Sequence, residues 1–285
     1  MPIGPAQLAN LPDPLLRIVE ARHHQPFEVL GKHQTEDGGT AIRVFLPKAE
    51  RVRINAAGIE LERVEGTDLF VWEGSAEQLE TPDQLRPDQA SHHQVTWYDK
   101  QGSVHTHYDP YTFPPQLGDF DLHLFGEGRH WHAYRFLGAH ERKVDGIVGY
   151  HFAVWAPSAT RVSVVGDFNQ WDGRVYPMRV RGGSGVWELF IPGLAAGSLY
   201  KFEVRDQAGN AAVKIDPYAR AFQKRPDNAG ILQSPTGFQW SDEDWLQQRA
   251  EHNWQQSPMS IYEVHLGSWQ RDEDGNFLNY RELAE

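Results

Sequence analysis

Between residues 42 and 54 the chain reads IRVFLPKAERVRI, with Ile42, Val44 and Leu46 alternating with Arg43 and Phe45, and Val52 and Ile54 alternating with Arg51 and Arg53. Alternation with a period of two puts successive side chains on opposite faces of a strand. Leu69 and Val71 with their aromatic neighbours, then Val95 and Trp97, continue the pattern, and Asp37-Gly38-Gly39 and Lys100-Gln101-Gly102 supply turns between the runs. Short alternating runs punctuated by Gly and Pro predict a β-sandwich. Only residues 13–21 read differently. Leu15, Leu16, Ile18 and Val19 form an apolar stripe there, Pro14 suits a first helical turn, and Asp13 is a candidate cap.

The pattern then recurs. Residues 152–164 read FAVWAPSATRVSV, so Pro47 matches Pro157, Ala49 matches Ala159, Val52 matches Val162 and Ile54 matches Val164, all at an offset of 110. Upstream, FEVLGKH (27–33) is similar to YRFLGAH (134–140), and downstream Asp109-Pro110-Tyr111 is similar to Asp216-Pro217-Tyr218. Three blocks in one order predict two related modules of about 100 residues each. The second module has Phe152, Val154 and Ala156 on one strand, Val162, Val164 and Val165 on another, Trp187, Leu189 and Ile191 on a third, and Tyr200, Phe202 and Val204 on a fourth.

Residues 233–258 lose the alternation; Ser241-Asp242 is a candidate start for a short helix through Trp245 and Leu246. MSIYEVHLGSW follows, with a mostly apolar strand expected from Ile261 to Leu266, and Asn279-Tyr280-Arg281-Glu282 resembles a capping box at a helix start. A buried strand followed by a helix is the opening unit of an α/β barrel, which implies further chain beyond Glu285.

Composition narrows the classes. With no cysteine among 285 residues, disulfides and thiolate metal sites are excluded, and a reducing cytoplasm fits. A net charge of −12 makes nucleic acid a poor partner, while a neutral polymer is not repelled. No apolar run reaches the ~18 residues of a membrane span, and the first residues lack the charged and apolar regions of a secretory signal. Trp155, Trp187 and Phe202, on strand-like patterns, are expected in the core. His105 with His107, and His130 with His132, would share strand faces, but no set with zinc-ligand spacing accompanies them. Asp242, Glu243 and Asp244 fit a helix N-terminus, where carboxylates favour the dipole.

The segments FAVWAPSATRVSVVGDFNQWDGRVYPMRVRGGSGVWELFIPG (152–193) and YKFEVRDQAGNAAVKIDPYARAF (200–222) resemble the carbohydrate-binding module of branching enzymes, isoamylases and related α-amylase-clan proteins. DPYTFPPQLGDFDLHLFGEGRHWHAYRFLGAH (109–140) resembles the junction between two N-terminal modules of long bacterial branching enzymes, and SPMSIYEVHLGSW (257–269) with NYRELAE (279–285) resembles the entry into their barrel. HQPFEVLGKH (24–33) departs from that family's usual His-Asp-Pro-His opening.

The resemblance implies a mainly β chain: two tandem immunoglobulin-like β-sandwich modules plus the first strand and helix start of a truncated (β/α)8 barrel. It divides the chain into an N-terminal helix and arm (1–22), a first sandwich (23–125), a second, carbohydrate-binding sandwich (126–232), a linker (233–258) and a barrel start (259–285). It also implies a parent activity that cleaves an α-1,4-glucan linkage and transfers the freed segment to a 6-hydroxyl. The carboxylates for such chemistry lie deeper in the family's barrel. This sequence has no Gly-Phe-Arg-x-Asp-Ala or Asp-x-Val-x-Asn-His segment, so no catalytic residue is assigned.

In glucan-binding members of the module family, the residue matching Trp171 stacks on a sugar and the one matching Lys201 helps hold it; their second aromatic is missing from Gly209-Asn210-Ala211-Ala212. Packing is the competing reading of Trp171. Asp167 and Asp172 are expected to shape its turn, and His265 to Trp269 to reach the cleft rim of a complete barrel. The expected partners are an α-glucan and a catalytic barrel, with no nucleic acid, membrane, cofactor or metal. A debranching enzyme, a trehalose-releasing glucan hydrolase and a non-catalytic glucan-binding protein are the alternatives.

Overall fold

The computed structural model describes residues 11–55, 57–79, 92–234 and 239–285. It contains two compact units, divided after Pro235. The first opens with helix α1 (Asp13–Val19), which buries Ile18 against Val29, Leu30, Phe45 and Leu69. Asp13 does not cap it. Pro12 takes the cap position, and the Asp13 carboxylate reaches forward to Arg17 at 2.7 Å. The arm at residues 1–10 lies outside the described residues.

Seven antiparallel strands follow: β1 (Gly31–Gln34), β2 (Thr40–Phe45), β3 (Arg51–Ile54), β4 (Ile59–Arg63), β5 (Leu69–Gly74), β6 (Gln94–Tyr98) and β7 (Val104–Tyr108). They run in the order β1-β2-β5-β4-β3-β6-β7. Because β4 pairs with both β3 and β5, the sheet curls on itself. Ile42, Val44, Val52, Ile54, Phe70 and Val95 meet inside, as their alternation requires.

Helix α2 (Asp119–Gly126) leads into a second sandwich. One sheet runs β11 (Arg179–Val180), β12 (Val186–Pro192), β9 (Ile147–Trp155) and β8 (Gly138–Val144). The other holds β10 (Arg161–Gly166), β13 (Leu199–Arg205) and β14 (Ala211–Lys214), with β15 (Gly230–Ile231) also on β13. Phe152, Val162, Val164, Trp187, Leu189 and Phe202 fill the space between the sheets. Trp187 and Phe202 are buried as expected, but Trp155 is 56% exposed. It ends β9 on the outer face, where its ring meets the edge of Phe125 at 6.1 Å.

The internal repeat is physical. Gly31 and Gly138 both have left-handed φ, 92° and 101°. Two residues on, His33 Nε2 donates to the Leu30 carbonyl and His140 Nε2 to the Leu137 carbonyl, both at 2.9 Å. At the far ends, Asp109 accepts from Tyr111 N at 3.0 Å and Asp216 from Tyr218 N at 2.8 Å. A Cβ on Gly31 would lie 2.8 Å from the Tyr111 carbonyl oxygen, and one on Gly138 would lie 3.0 Å from that of Tyr218. Each module therefore closes its first strand against its last turn through a glycine that leaves room for backbone.

A buried charge cluster fastens the modules to each other. Glu188, on the outer face of β12, accepts from Gln116 N and Leu117 N at 3.1 and 3.0 Å, from His151 Nε2 at 3.1 Å, and from Arg181 Nη1 at 2.8 Å. Arg179 donates to the Phe113 carbonyl at 2.6 Å. Tyr111 donates toward the carbonyls of Val175 and Pro177, each at 3.2 Å. His92 joins from the first module, 2.8 Å from Asp145 and stacked on Phe113 at 4.0 Å.

The second unit holds α3 (Glu243–Glu251), with Glu243 and Asp244 in its first turn, and a short helix α4 (Leu266–Trp269). The strand expected from Ile261 to Leu266 is not formed. Ile261 and Tyr262 are 85% and 72% exposed, and the chain turns into α4 at Leu266. A barrel strand is held by neighbours on both sides, and no described strand pairs with this segment. The capping box is present: Asn279 Oδ1 accepts from Glu282 N at 3.1 Å while Glu282 Oε2 accepts from Asn279 N at 2.7 Å. A single turn follows it.

Candidate functional site

The chain leaves β10 at Gly166 and makes a tight loop through Asp172. Asn169, buried at the centre, accepts from Gly166 N at 2.8 Å and donates to the carbonyls of Val164 at 2.9 Å and Asp172 at 3.3 Å. The Trp171 amide donates to the Gly166 carbonyl at 2.8 Å. Asp167 accepts from Leu199 N at 3.2 Å, and Asp172 accepts from Arg174 Nε on Oδ1 at 3.0 Å and from Arg174 Nη2 on Oδ2 at 2.7 Å. The two aspartates thus shape the loop, as their residue type suggests.

This scaffold holds Gln170 and Trp171 at φ of 55° and 62°. A bulky residue with positive φ costs of order 1–3 kcal/mol and persists only where surrounding contacts impose it. The result is an indole 40% exposed on the module surface.

Lys201 comes from β13, opposite Val165 of β10. Its Nζ stands 5.9 Å from the centre of the Trp171 ring and donates to Asn228 Oδ1 at 2.6 Å. The structure therefore brings the two sequence-predicted residues together and adds Asn228. Nothing in the sequence singled out Asn228, since it lies far along the chain and matches no binding pattern. The pairing of β15 with β13 brings its loop alongside Lys201. The site offers one flat apolar face flanked by an ammonium donor and an amide, which suits a pyranose ring with apolar faces and hydroxyl edges.

The other candidates separate. His105 stacks on Trp97 at 4.0 Å with its Nε2 3.4 Å from Asp99. Burial pushes His107 below the usual imidazole range. His130 pairs with Asp121 at 2.8 Å, while His132 packs edge-on to Tyr134. Among the described residues, no three His, Asp or Glu side chains gather in a metal-binding group. In the second unit, Tyr262 packs edge-on to Trp269 and His265 hydrogen-bonds Ser268 at 2.8 Å.

Comparison with known proteins covers both sandwiches. Residues 12–111 match the family "alpha-1,4-glucan branching enzyme GlgB, N-terminal domain", and residues 136–219 match "Carbohydrate-binding module 48 (Isoamylase N-terminal domain)". The 1,4-alpha-glucan branching enzyme GlgB of Methylococcus capsulatus is 54% identical over 97% of this chain and 36% of its own length. That of Cellvibrio japonicus is 51% identical over 99% of this chain and 38% of its own length. The chain belongs to the N-terminal region of the branching-enzyme family. It spans little more than a third of the length of those two relatives. Among solved structures, ligand-free PulA from Klebsiella pneumoniae matches at TM-score 0.31 and 14% identity, covering 72% of this chain and 21% of that one. In the branching-enzyme modules described here, the Trp171 loop lies inside the segment matched as carbohydrate-binding and the curled first sheet lies outside it.

Proposed function

We propose that this chain holds α-glucan for a branching enzyme, an activity that cuts an α-1,4 linkage and transfers the freed segment to a 6-hydroxyl to make an α-1,6 branch. What carries the reading is the order of the two matched modules along one chain, together with 54% identity to a named branching enzyme. Residues 23–125 and 126–232 are its two modules, 233–258 a linker, and 259–285 the approach to a catalytic barrel. A retaining transfer needs two carboxylates about 5 Å apart, one as nucleophile and one as acid/base. We assign no residue of this chain to either role. On amylose the purified 285-residue chain produces no α-1,6 branch ends; branch formation by a contaminant-free preparation would overturn that assignment.

Glucan lies with one sugar face on Trp171, and its hydroxyls meet Lys201 and Asn228. One aromatic face with two polar contacts supplies about 4–5 kcal/mol, which is affinity near millimolar or slightly tighter. The net charge of −12 suits a neutral polymer over a nucleic acid. None of the described helices is long and apolar enough to cross a membrane. The absence of cysteine fits work in a reducing cytoplasm.

Trp171→Ala is the test. On this reading it abolishes retardation of the chain in a glycogen-containing native gel and leaves the melting temperature nearly unchanged. A packing role predicts the reverse, since losing a buried indole costs roughly 3–5 kcal/mol. A variant that melts early, from a parent that glycogen never retards, would sink the binding role of Trp171.

A further inference from the structure

A groove of about 580 Å³ runs between the two sandwiches, within the roughly 300–1,000 Å³ range of small-molecule sites. The first module contributes Gln94, Trp97 and His105; the second contributes Phe168, Gln170 and Tyr176. We propose that this groove is a second α-glucan site, occupied by glucose units of the same chain that rests on Trp171. The proposal builds on the reading of the Trp171 face given above.

Three observations lead to it. The first is the surface. His105 lies flat on Trp97, with ring centres 4.0 Å apart and planes 17° apart, and its side chain is 44% exposed. That stack is a layered platform with an open outer face. Phe168 and Tyr176 line the opposite wall, 6.0 Å apart. Aromatic faces with neutral amides between them match the apolar faces and hydroxyl edges of a sugar polymer. Asp172, the carboxylate on the rim, is already held by Arg174 at 2.7 Å. Lys48 lines the groove as well, an exposed ammonium near Asp172 that can donate to sugar hydroxyls.

The second observation is continuity. Phe168, Asn169, Gln170 and Asp172 belong to the same loop as Trp171. Gln170 faces the groove, while its neighbour Trp171 faces Lys201. One loop thus serves both surfaces.

The third is rigidity. The Glu188 cluster and the Tyr111, Arg179 and His92 contacts fasten the modules across their junction. The groove is preformed, so a ligand bears little ordering cost.

Two joined subsites make affinity depend on chain length, because the second contact forms at high effective concentration. The test uses the whole chain with maltotriose and maltoheptaose, by calorimetry and by NMR shift mapping. Maltoheptaose is expected to shift the Trp97 indole and the His105 ring as well as Trp171, and to bind at least about tenfold tighter than maltotriose. The variant His105→Glu leaves the Trp171 loop untouched and puts a charge on the open face of the platform, where a sugar face would rest. It should bring the ratio close to one, with maltotriose affinity and melting temperature unchanged. A ratio that survives His105→Glu, or maltoheptaose shifts confined to Trp171, Lys201 and Asn228, overturns the groove and leaves the Trp171 reading standing. Shifts in the groove without shifts at Trp171 overturn the joined site and remove the Trp171 reading. Shifts at neither remove both.

Discussion

In the first sandwich, β3 ends at Ile54 and the chain re-enters the sheet as β4 at Ile59; in the second, it leaves β10 at Gly166, bridges back to Ser163 at Pro177, and forms its next strand at Arg179. The frames are otherwise alike, down to the same histidine-to-carbonyl bond after each opening glycine and the same aspartate turn at each close. Register aligns further positions. Val52 faces Trp97 as Val162 faces Val204, so the partner of Lys201 in the first module is Gln94. There Gln94 accepts a hydrogen bond from Asn55 at 3.3 Å, whereas Lys201 reaches outward to Trp171 and Asn228. The lesson is that a duplicated frame sets stability, and the connection between two of its strands sets what one copy can hold.

The sharpest test of that comparison is at a matched pair inside the frame. Arg43 faces Val71 as Ala153 faces Glu188, so Val71 and Glu188 occupy one position in the two modules. Glu188→Ala leaves Arg179, Arg181 and His151 without their buried partner and is expected to cost about 3–5 kcal/mol. Val71→Ala, on a half-buried strand face, costs about 1 kcal/mol. Urea unfolding measures both, and equal losses would mean that Glu188 does not fasten the junction at Gln116 and Leu117.

The Glu188 deficit also depends on pH. Burial pushes its carboxyl up, but the His151 hydrogen bond and the charges of His151, Arg181 and Arg179 outweigh burial and hold it below the ordinary glutamate range. A depressed acid stabilises the fold above its unfolded value of about 4.3 and loses that contribution as pH falls through the folded value. The gap between Glu188→Ala and the parent should therefore be full at pH 7 and shrink below about pH 4. His151, whose imidazole burial pushes below its usual range while Glu188 pulls it up, adds to the gap between about pH 6.5 and 4. The acid limb is therefore the test, and a gap that stays full there would contradict the pairing.

A smaller effect, expected equal in both modules, probes the repeat itself. Gly31→Ala and Gly138→Ala each force a side chain into left-handed backbone and against a tyrosine carbonyl. Each should cost about 1–3 kcal/mol. A large loss at one and none at the other would show that the two fasteners are not equivalent.

The frame could be read in advance because its information is local and repeated. Alternation marks the strands, and the paired blocks at 27–33 and 134–140 mark the repeat whose glycines fasten each module. Trp155 falls between Val154 and Ala156, which share the core face with Phe152, so alternation puts its indole outside although its size argues for burial. The apolar run from Ile261 to Leu266 carried a strand pattern, but a strand exists only with partners, which sequence does not supply. Asn228 was invisible for a similar reason. It joins Lys201 through a chain reversal that returns Gly230 and Ile231 to β13.

The smallest expected effect is the most direct test of what distinguishes the modules. Lys201→Gln gives the second sandwich the first one's residue at the matched position. Lys201 is only half-buried, and its Nζ makes a cation–π contact and one bond to Asn228. Nothing in the core depends on it, so the urea midpoint should not move. A cation over an exposed indole is worth about 0.5–1 kcal/mol, and a ligand sharing that geometry loses a similar amount. Maltotriose binding should therefore weaken about two- to fivefold, a partial loss where Trp171→Ala gives a complete one. If affinity holds in Lys201→Gln while Trp171→Ala abolishes it, the lysine serves only to tie down Asn228. Asn228→Ala would then carry the partial loss in its place. If neither variant changes binding, the indole acts alone, and the difference between the two sandwiches reduces to one loop.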